Sequence, residues 1–410
     1  MADDLMEAAG AVHDEVVALR RAIHRDPELD LDLPRTQEKV LDALDGLPLT
    51  VRTGVGLSSI VADLDGGEPG PTILLRADMD ALPVYEDTGL DYASGVDGCM
   101  HACGHDAHTA MLVGAARLLA ERRGSLAGRV RLFFQPGEEG RHGARVALDE
   151  GLLDATDGGE AVSYAFAIHQ SPSMRGGFVT TKPGPIMASA DEFTIIVRGR
   201  GGHASMPHFA ADPIPVACEI VGALQSFVTR RVDVFDPAVV TVGSIRAGTT
   251  TNVIPEIARM RGTIRAVSAG TREAVRSGLE RVAAGIAAAH DMVAEVELHA
   301  GYPVTVNHAE PAAEVLEVAA AVAGEEHIEP MVAPVMGAED FSYLLEEVPG
   351  VMAFLGTRPA GLRAAQAAPN HSNKMVLAEE AMATGVALHA AVALRRLGAP
   401  DESRPAAATP

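Results

Sequence analysis

"RVRLFFQPGEEG", Arg129 to Gly140, is the stretch on which the reading of this chain turns. An apolar run carrying two arginines stops at Pro136-Gly137, and Glu138 and Glu139 follow at once. Proline has no amide for a ladder and glycine tolerates the turn, so the pattern predicts a buried strand with a sharp exit. Acids just past a buried strand lie at its carboxyl end, where open α/β sheets place their sites. Taken alone, two acids in a turn are more simply a solvated loop.

Working outward, "SSIVADL" (58–64) and "PTILLRADMD" (71–80) are short apolar runs separated by the turn-like GGEPG. Residues 106–120 read as a helix with Asp106 near its start, and "SYAFAIHQSP" (163–172) is a further buried strand. Residues 4–25 carry apolar side chains at helical spacing and read as one amphipathic helix ending at Asp26-Pro27. Strands alternating with helices predict an α/β domain around a mixed sheet with a parallel portion and helices on both faces.

From residue 187 the order becomes strand, helix, two strands, helix, strand, ending with "MVAEVELHAG" (292–301). This βαββαβ order predicts a ferredoxin-like domain inserted into the first. Helix 311–323, the strand-like "GVMAFLG" and helix 377–396 then resume the larger domain. The expected division is 1–186, 187–299 and 300–398, with a disordered tail at 399–410.

Fifty-six acids against 33 bases, net −23, exclude nucleic acid or an anionic membrane as partner, since both need a basic face. No stretch approaches 18 unbroken apolar residues, so no membrane span is expected. The amino terminus lacks a basic segment followed by an apolar run, and so does not read as a signal peptide. Cysteines 99, 103 and 218 form no disulfide framework, which fits a cytoplasmic location.

Residue chemistry concentrates at a few points. Within "GCMHACGHDAHTAM" (98–111), Cys103 and His105 are two apart at a predicted helix start and can reach one metal or a metal pair. A buried cysteine beside a hydrogen-bonded histidine reads as well there. Glu138 and Glu139 can divide labour, one binding a cation and one moving a proton. His169 ends a strand; Asp78 and Asp80 leave another; His371 sits in "PNHSNKM" and His203 in "GGHASMPH". Each is weak alone. If the strands are parallel, Asp78, Glu138, Glu139 and His169 converge on one rim with His105 beside them.

With these residues in place, the chain resembles the dinuclear metallopeptidases and amidohydrolases of the aminoacylase and carboxypeptidase G family. It is most similar to the branch of hippurate hydrolase, N-acyl-amino-acid amidohydrolase and auxin-conjugate (indole-acetyl amino acid) hydrolase. "MHACGHDAHTAMLVGAA" and "FFQPGEEG" carry the resemblance, which runs from "LRRAIHRDPEL" to "NHSNKM". It implies two divalent metal ions per subunit, Zn, Mn, Co or Ni. Cys103 would bridge both ions, His105 and His169 would hold one, and Glu139 and His371 the other. Glu138 would be the general acid/base for a water held between the metals, and Asp78 a buried acid orienting a ligand. His203 and Asn252 would bind substrate from an inserted lid that also forms a homodimer, with Glu339 in a further motif of the branch. The wider family carries a ligand histidine where this chain has Arg76.

The implied reaction is hydrolysis of an N-acyl amino acid, acetyl, benzoyl or similar, to a carboxylic acid and a free amino acid. A metallo-carboxypeptidase or dipeptidase acting on small peptides is the alternative. A thiol hydrolase with Cys103 as nucleophile leaves the glutamate pair and His371 unexplained. A non-catalytic metal-binding scaffold has little use for Glu138. A zinc nucleobase deaminase would need H-x-E and P-C-x-x-C signatures that the sequence lacks.

Overall fold

The computed structural model describes residues 2–156 and 158–398, so the expected disordered tail lies outside the described residues. The chain divides into two compact units, the first from residues 2–184, 307–332 and 343–398, the second from Pro185–Val306 and Ala333–Ser342. The second unit thus runs past 299 to Val306, and Ala333–Ser342 returns to it. Backbone bonds account for this return: the Ala188 amide donates to Val335 and Gly337 carbonyls (3.0 and 2.9 Å).

The first unit opens with α1 (Ala2–Ala11), α2 (His13–His24) and α3 (Pro34–Leu44). The single helix expected over 4–25 is therefore two. The chain breaks at Val12 (φ −96°, ψ 1°), just after Gly10, a poor helix former. Then follow β1 (Thr50–Thr53), β2 (Ile60–Asp65), β3 (Glu68–Asp78), α4 (His105–Glu121), β4 (Ala127–Gln135), α5 (Gly143–Asp149), β5 (Val162–Arg175) and β6 (Val179–Thr180). Beyond Val306 come α8 (Ala309–Ala323), α9 (Ser342–Glu347), β15 (Gly350–Arg358) and α10 (Met382–Leu397). Seven strands form one mixed sheet in the order β1-β2-β4-β3-β5-β15-β6.

β4 shows why the arginines do not break the strand. Asp63 and Asp65 of β2 stand directly opposite Arg131 and Arg129 in the antiparallel register. Arg131 is fully buried and binds both oxygens of Asp63 (2.8 and 3.0 Å); Arg129 binds Asp65 at 2.7 Å. Cross-strand ion pairs of this kind let charge enter a buried sheet. Alternate residues Val130, Leu132 and Phe134 join Ile73, Leu75, Phe166 and Ala353 in the core. On the other face Leu74, Phe133, Ala165 and Met352 are equally buried, so both faces are covered.

In the second unit β7 (Gly184–Met187) pairs with β14 (Thr305–Asn307). Between them run β8 (Asp191–Arg198), β9 (Gly202–His203), α6 (Pro213–Arg231), β10 (Ala238–Ala247), β11 (Val253–Ile254), β12 (Ile257–Ala266), α7 (Ala269–Ala289) and β13 (Val293–Ala300). β10-β12-β8-β13 make an antiparallel sheet in the expected βαββαβ chain order, and β9 pairs with β11 as a separate ribbon. Asp212 caps α6 by accepting the Ile214 amide and Ser268 caps α7 by accepting that of Thr271. Ile195, Val197, Ile220, Met260 and Leu279 fill the core beneath the sheet.

Candidate metal centre

β3, β4, β5 and β15 are mutually parallel, so their carboxyl ends fall on one rim. Asp78 is level with Gln135, three residues before Glu138, and His169 lies on β5 beside Phe354 of β15. α4 starts at His105 against this rim, with Gly104 before it in the left-handed region (φ +82°). A Cβ on Gly104 would sit 2.6 Å from Nε2 of Gln170, so only glycine lets the Cys103–His105 turn approach β5.

Several triads of donor atoms result among the described residues, and two of them share a thiol. Cys103, His105 and His169 bring one ligand atom each within 4.8 Å of one another, and so do Cys103, Glu139 and His371. Cys103 belongs to both. Of the expected first-unit residues, Cys103, His105, Glu138, Glu139, His169 and His371 therefore gather in one place. Glu138 is 5% exposed, with Oε2 4.0 Å from Nε2 of His105. Asp78 lies beside them, 3.6 Å from the same nitrogen.

The imidazoles are oriented by groups that can only accept. Nδ1 of His105 donates to the Asp80 carbonyl (2.9 Å) and Nδ1 of His169 to that of Gln170 (2.7 Å). Both rings therefore turn Nε2 toward the site, the orientation ligating histidines adopt. Nε2 of His105 is buried without a hydrogen-bond partner, and Nε2 of His169 lies 3.5 Å from the Cys103 sulfur. One unsatisfied buried nitrogen aimed at a thiol and two carboxylates is a donor set that a divalent cation fits.

Burial would lower the His105 imidazole, yet Asp78 and Cys103 hold it well above its ordinary value, so the ring favours positive charge beside the thiol. Burial pushes the Cys103 thiol up, while nearby His105 pulls it back. Hydrogen bonds to Cys103 and Glu139 raise His371 to about 10, so the two acids together favour a positive third partner. Burial opposes ionisation of Asp78, yet Arg76, His105 and His108 hold its carboxyl well below the usual range. Arg76 bonds Asp78 at 2.7 Å and Gln135 at 2.9 Å, and so serves as a buried counter-ion to Asp78.

His371 is held from a loop and has φ +69°, a left-handed conformation that costs a non-glycine residue about 1–2 kcal/mol. Such strain persists where surroundings over-determine it, often at functional sites. Here the His371 amide donates to Ala102 (2.8 Å), and Gln170 Nε2 reaches both the Cys103 carbonyl and Asn370 Oδ1, each at 2.7 Å.

The remaining candidates lie in the second unit. His203 and Asn252 share the β9–β11 ribbon: His203 pairs with Val253, and the Ala204 amide donates to Asn252 (3.1 Å). The Ser205 amide donates to Nδ1 of His203 (3.1 Å), which leaves the ring proton on Nε2. Glu339 is buried and accepts the Phe341 amide (2.9 Å), stabilising its own turn.

Residues 74–395 match the family model described as Peptidase family M20/M25/M40. The chain belongs to this family. Among M20/M25/M40 relatives, thermostable carboxypeptidase 2 of Saccharolobus solfataricus is 38% identical over 388 residues, covering 94% of this chain and 96% of its own. N-acetylcysteine deacetylase of Bacillus subtilis is 40% identical over 348 residues, covering 85% and 89%. The solved Bacillus subtilis YXEP protein, a dinuclear metal binding peptidase from the M20 family, has a TM-score of 0.80 at 35% identity, covering 95% of this chain and 99% of that one.

In this family member, sequence reasoning missed Gln170, and His108 takes a hydrogen-bonding role and not a place among the proposed ligands. His108 Nδ1 donates to Asp78 (2.6 Å), and its Nε2 accepts the Gln170 amide (2.8 Å). Cys99 and His101 are buried and join no donor triad among the described residues. Among the described residues no helix is long and apolar enough to cross a membrane.

Proposed function

We propose that this chain is a metal-dependent amidohydrolase that cleaves N-acyl amino acids into a carboxylic acid and a free amino acid. The observation that carries the reading is the pair of donor triads sharing Cys103, with the buried Glu138 carboxylate beside them. Cys103, His105 and His169 would hold one divalent ion, and Cys103, Glu139 and His371 the second. Bound there, the ions would supply the positive charge that polarises the amide carbonyl and makes a water acidic near neutral pH. Glu138 accepts the proton of the attacking water and returns it to the leaving amine nitrogen, so one carboxylate serves both half-steps. Asp78, buried and ionised, fixes His108 and faces His105.

His203, with its proton on Nε2, is suited to donate to the developing oxyanion, and Asn252 on the same ribbon to bind substrate polar groups. We assign His203 to the partner subunit's site in a homodimer formed through the second unit. Mixing inactive His203→Ala and Glu138→Ala subunits should then restore activity after exchange; no recovery in demonstrated mixed dimers would refute the shared site. The buried, unpaired thiols of Cys99 and Cys103 fit a reducing, cytoplasmic location.

A carboxypeptidase and an N-acyl amino acid hydrolase cut the same bond, the amide next to a free carboxylate. The likeness to thermostable carboxypeptidase 2 makes short peptides the second reading. Release of free amine from a panel of N-acetyl and N-benzoyl amino acids and dipeptides, with Zn, Mn, Co or Ni, decides between them. EDTA should abolish release and metal restore it; activity unaffected by chelator would instead favour Cys103 as a nucleophile.

A further inference from the structure

Asp80 leaves β3 two residues after Asp78 and is 1% exposed. A carboxylate at that depth must be met by donors. It meets the backbone of the two glutamates: the Glu138 amide donates to Oδ1 (3.0 Å) and the Glu139 amide to Oδ2 (2.9 Å), one oxygen each. The same residue faces His105, whose Nδ1 donates to the Asp80 carbonyl at 2.9 Å and lies 3.4 Å from Oδ1. Asp80 is itself held on both sides, with the Met79 amide on the Gln135 carbonyl (2.7 Å) and the Ala81 amide on that of Glu28 (2.8 Å).

We infer that Asp80 is a positioning residue that sets the Glu138–Glu139 turn against His105, fixing the general base and one ligand of each metal position together. The inference rests on the roles proposed above for those three residues. Two adjacent amides need two acceptors. Only a carboxylate supplies both; an asparagine would turn an NH₂ toward one of them and lose that bond. The carbonyl bond to His105 survives any side-chain change, so substitution should disturb the glutamate turn more than the imidazole.

The test uses Asp80→Asn in the full chain, with cobalt(II) as the metal probe and an N-acetyl amino acid as substrate. The folded variant is expected to keep KM within about twofold while kcat at saturating metal falls about 10- to 100-fold and cobalt binding weakens about tenfold. A purely structural role would lower thermal stability and leave kcat per metal-loaded subunit unchanged; kcat and cobalt affinity both within about twofold of wild type would overturn the inference. If wild type hydrolyses no amide substrate, the functional reading fails, and the cobalt titration still judges Asp80. If Asp80→Asn does not fold, hydrogen exchange in the wild-type chain decides. The Glu138 and Glu139 amides should be strongly protected, and exchange at the rate of open-loop amides would overturn the inference.

Discussion

Two buried polar clusters share the first turn of α4, and adjacent residues, His105 and Asp106, serve one each. Around Asp106 every charge meets its opposite. Arg20 lies 2.7 Å from Asp106, and its Nη1 reaches Glu379 at 3.0 Å. His24 meets Asp106 through Nδ1 (2.8 Å) and Glu86 through Nε2 (3.3 Å). Around His105 the imidazoles spend Nδ1 on neutral carbonyls and turn Nε2 toward a thiol and two carboxylates. Both clusters are histidine-rich and buried. What separates an ion-pair network from a ligand site is whether opposite charges pair off one against another or several donor atoms converge on a common point.

The comparison breaks most visibly at Glu138. Glu138→Gln keeps the size of the side chain and removes its capacity to take a proton. It should lower kcat by about 10²- to 10⁴-fold. Metal content by elemental analysis should stay at the wild-type level. A variant retaining kcat within tenfold would remove Glu138 from the chemistry, and one that lost metal would move it into the ligand set.

Across the turn, Arg20→Met should act on stability. It withdraws the cation from Asp106 and leaves a buried carboxylate supported mainly by His24, a change that costs about 3–5 kcal/mol in denaturant unfolding. The folded, metal-loaded fraction should turn over within about twofold of wild type. Loss of metal from that fraction would mean that the two clusters act as one.

How legible these clusters were differs for a physical reason. Cys103, His105, Glu138, Glu139 and His169 stood out because chemically distinctive residues fell at strand and helix ends, and parallel strands must bring such ends together. The ion pairs inside the sheet were hidden in β4, because the sequence places Arg131 in a buried strand without showing that Asp63 stands opposite it. Asp80 and Gln170 are ordinary residues by type. Their roles come from partners far along the chain, 58 positions for Asp80 to Glu138 and 67 for Gln170 to Cys103. The break at Val12 was masked by apolar spacing that continues through it, and the return of Ala333–Ser342 to the second unit rests on backbone bonds that carry no side-chain signature.

The smallest effect is the most specific to the paired cluster. Burial alone would raise the Glu86 carboxyl, but hydrogen bonds from His24, Thr88 and the Ser94 amide bring it down to about 2 from 4.5. A depressed folded value contributes stability above 4.5 that is lost as pH falls toward 2. His24 runs the other way. Burial would lower it, yet Asp106 and Glu86 raise it above 6.5, so its contribution is complete below 6.5 and is lost as pH rises through the folded value. The network should therefore contribute most between 4.5 and 6.5. Glu86→Gln should flatten the acid side of the stability profile, measured by denaturant midpoint, and weaken the alkaline loss by removing one of the groups that raise His24. Because Glu86 touches no member of the donor triads, metal content should not change. An acid limb of unaltered slope would show that the Glu86 carboxylate does not sense its partners, and the contrast between a paired and a converging cluster would then rest on Arg20 and Asp106 alone.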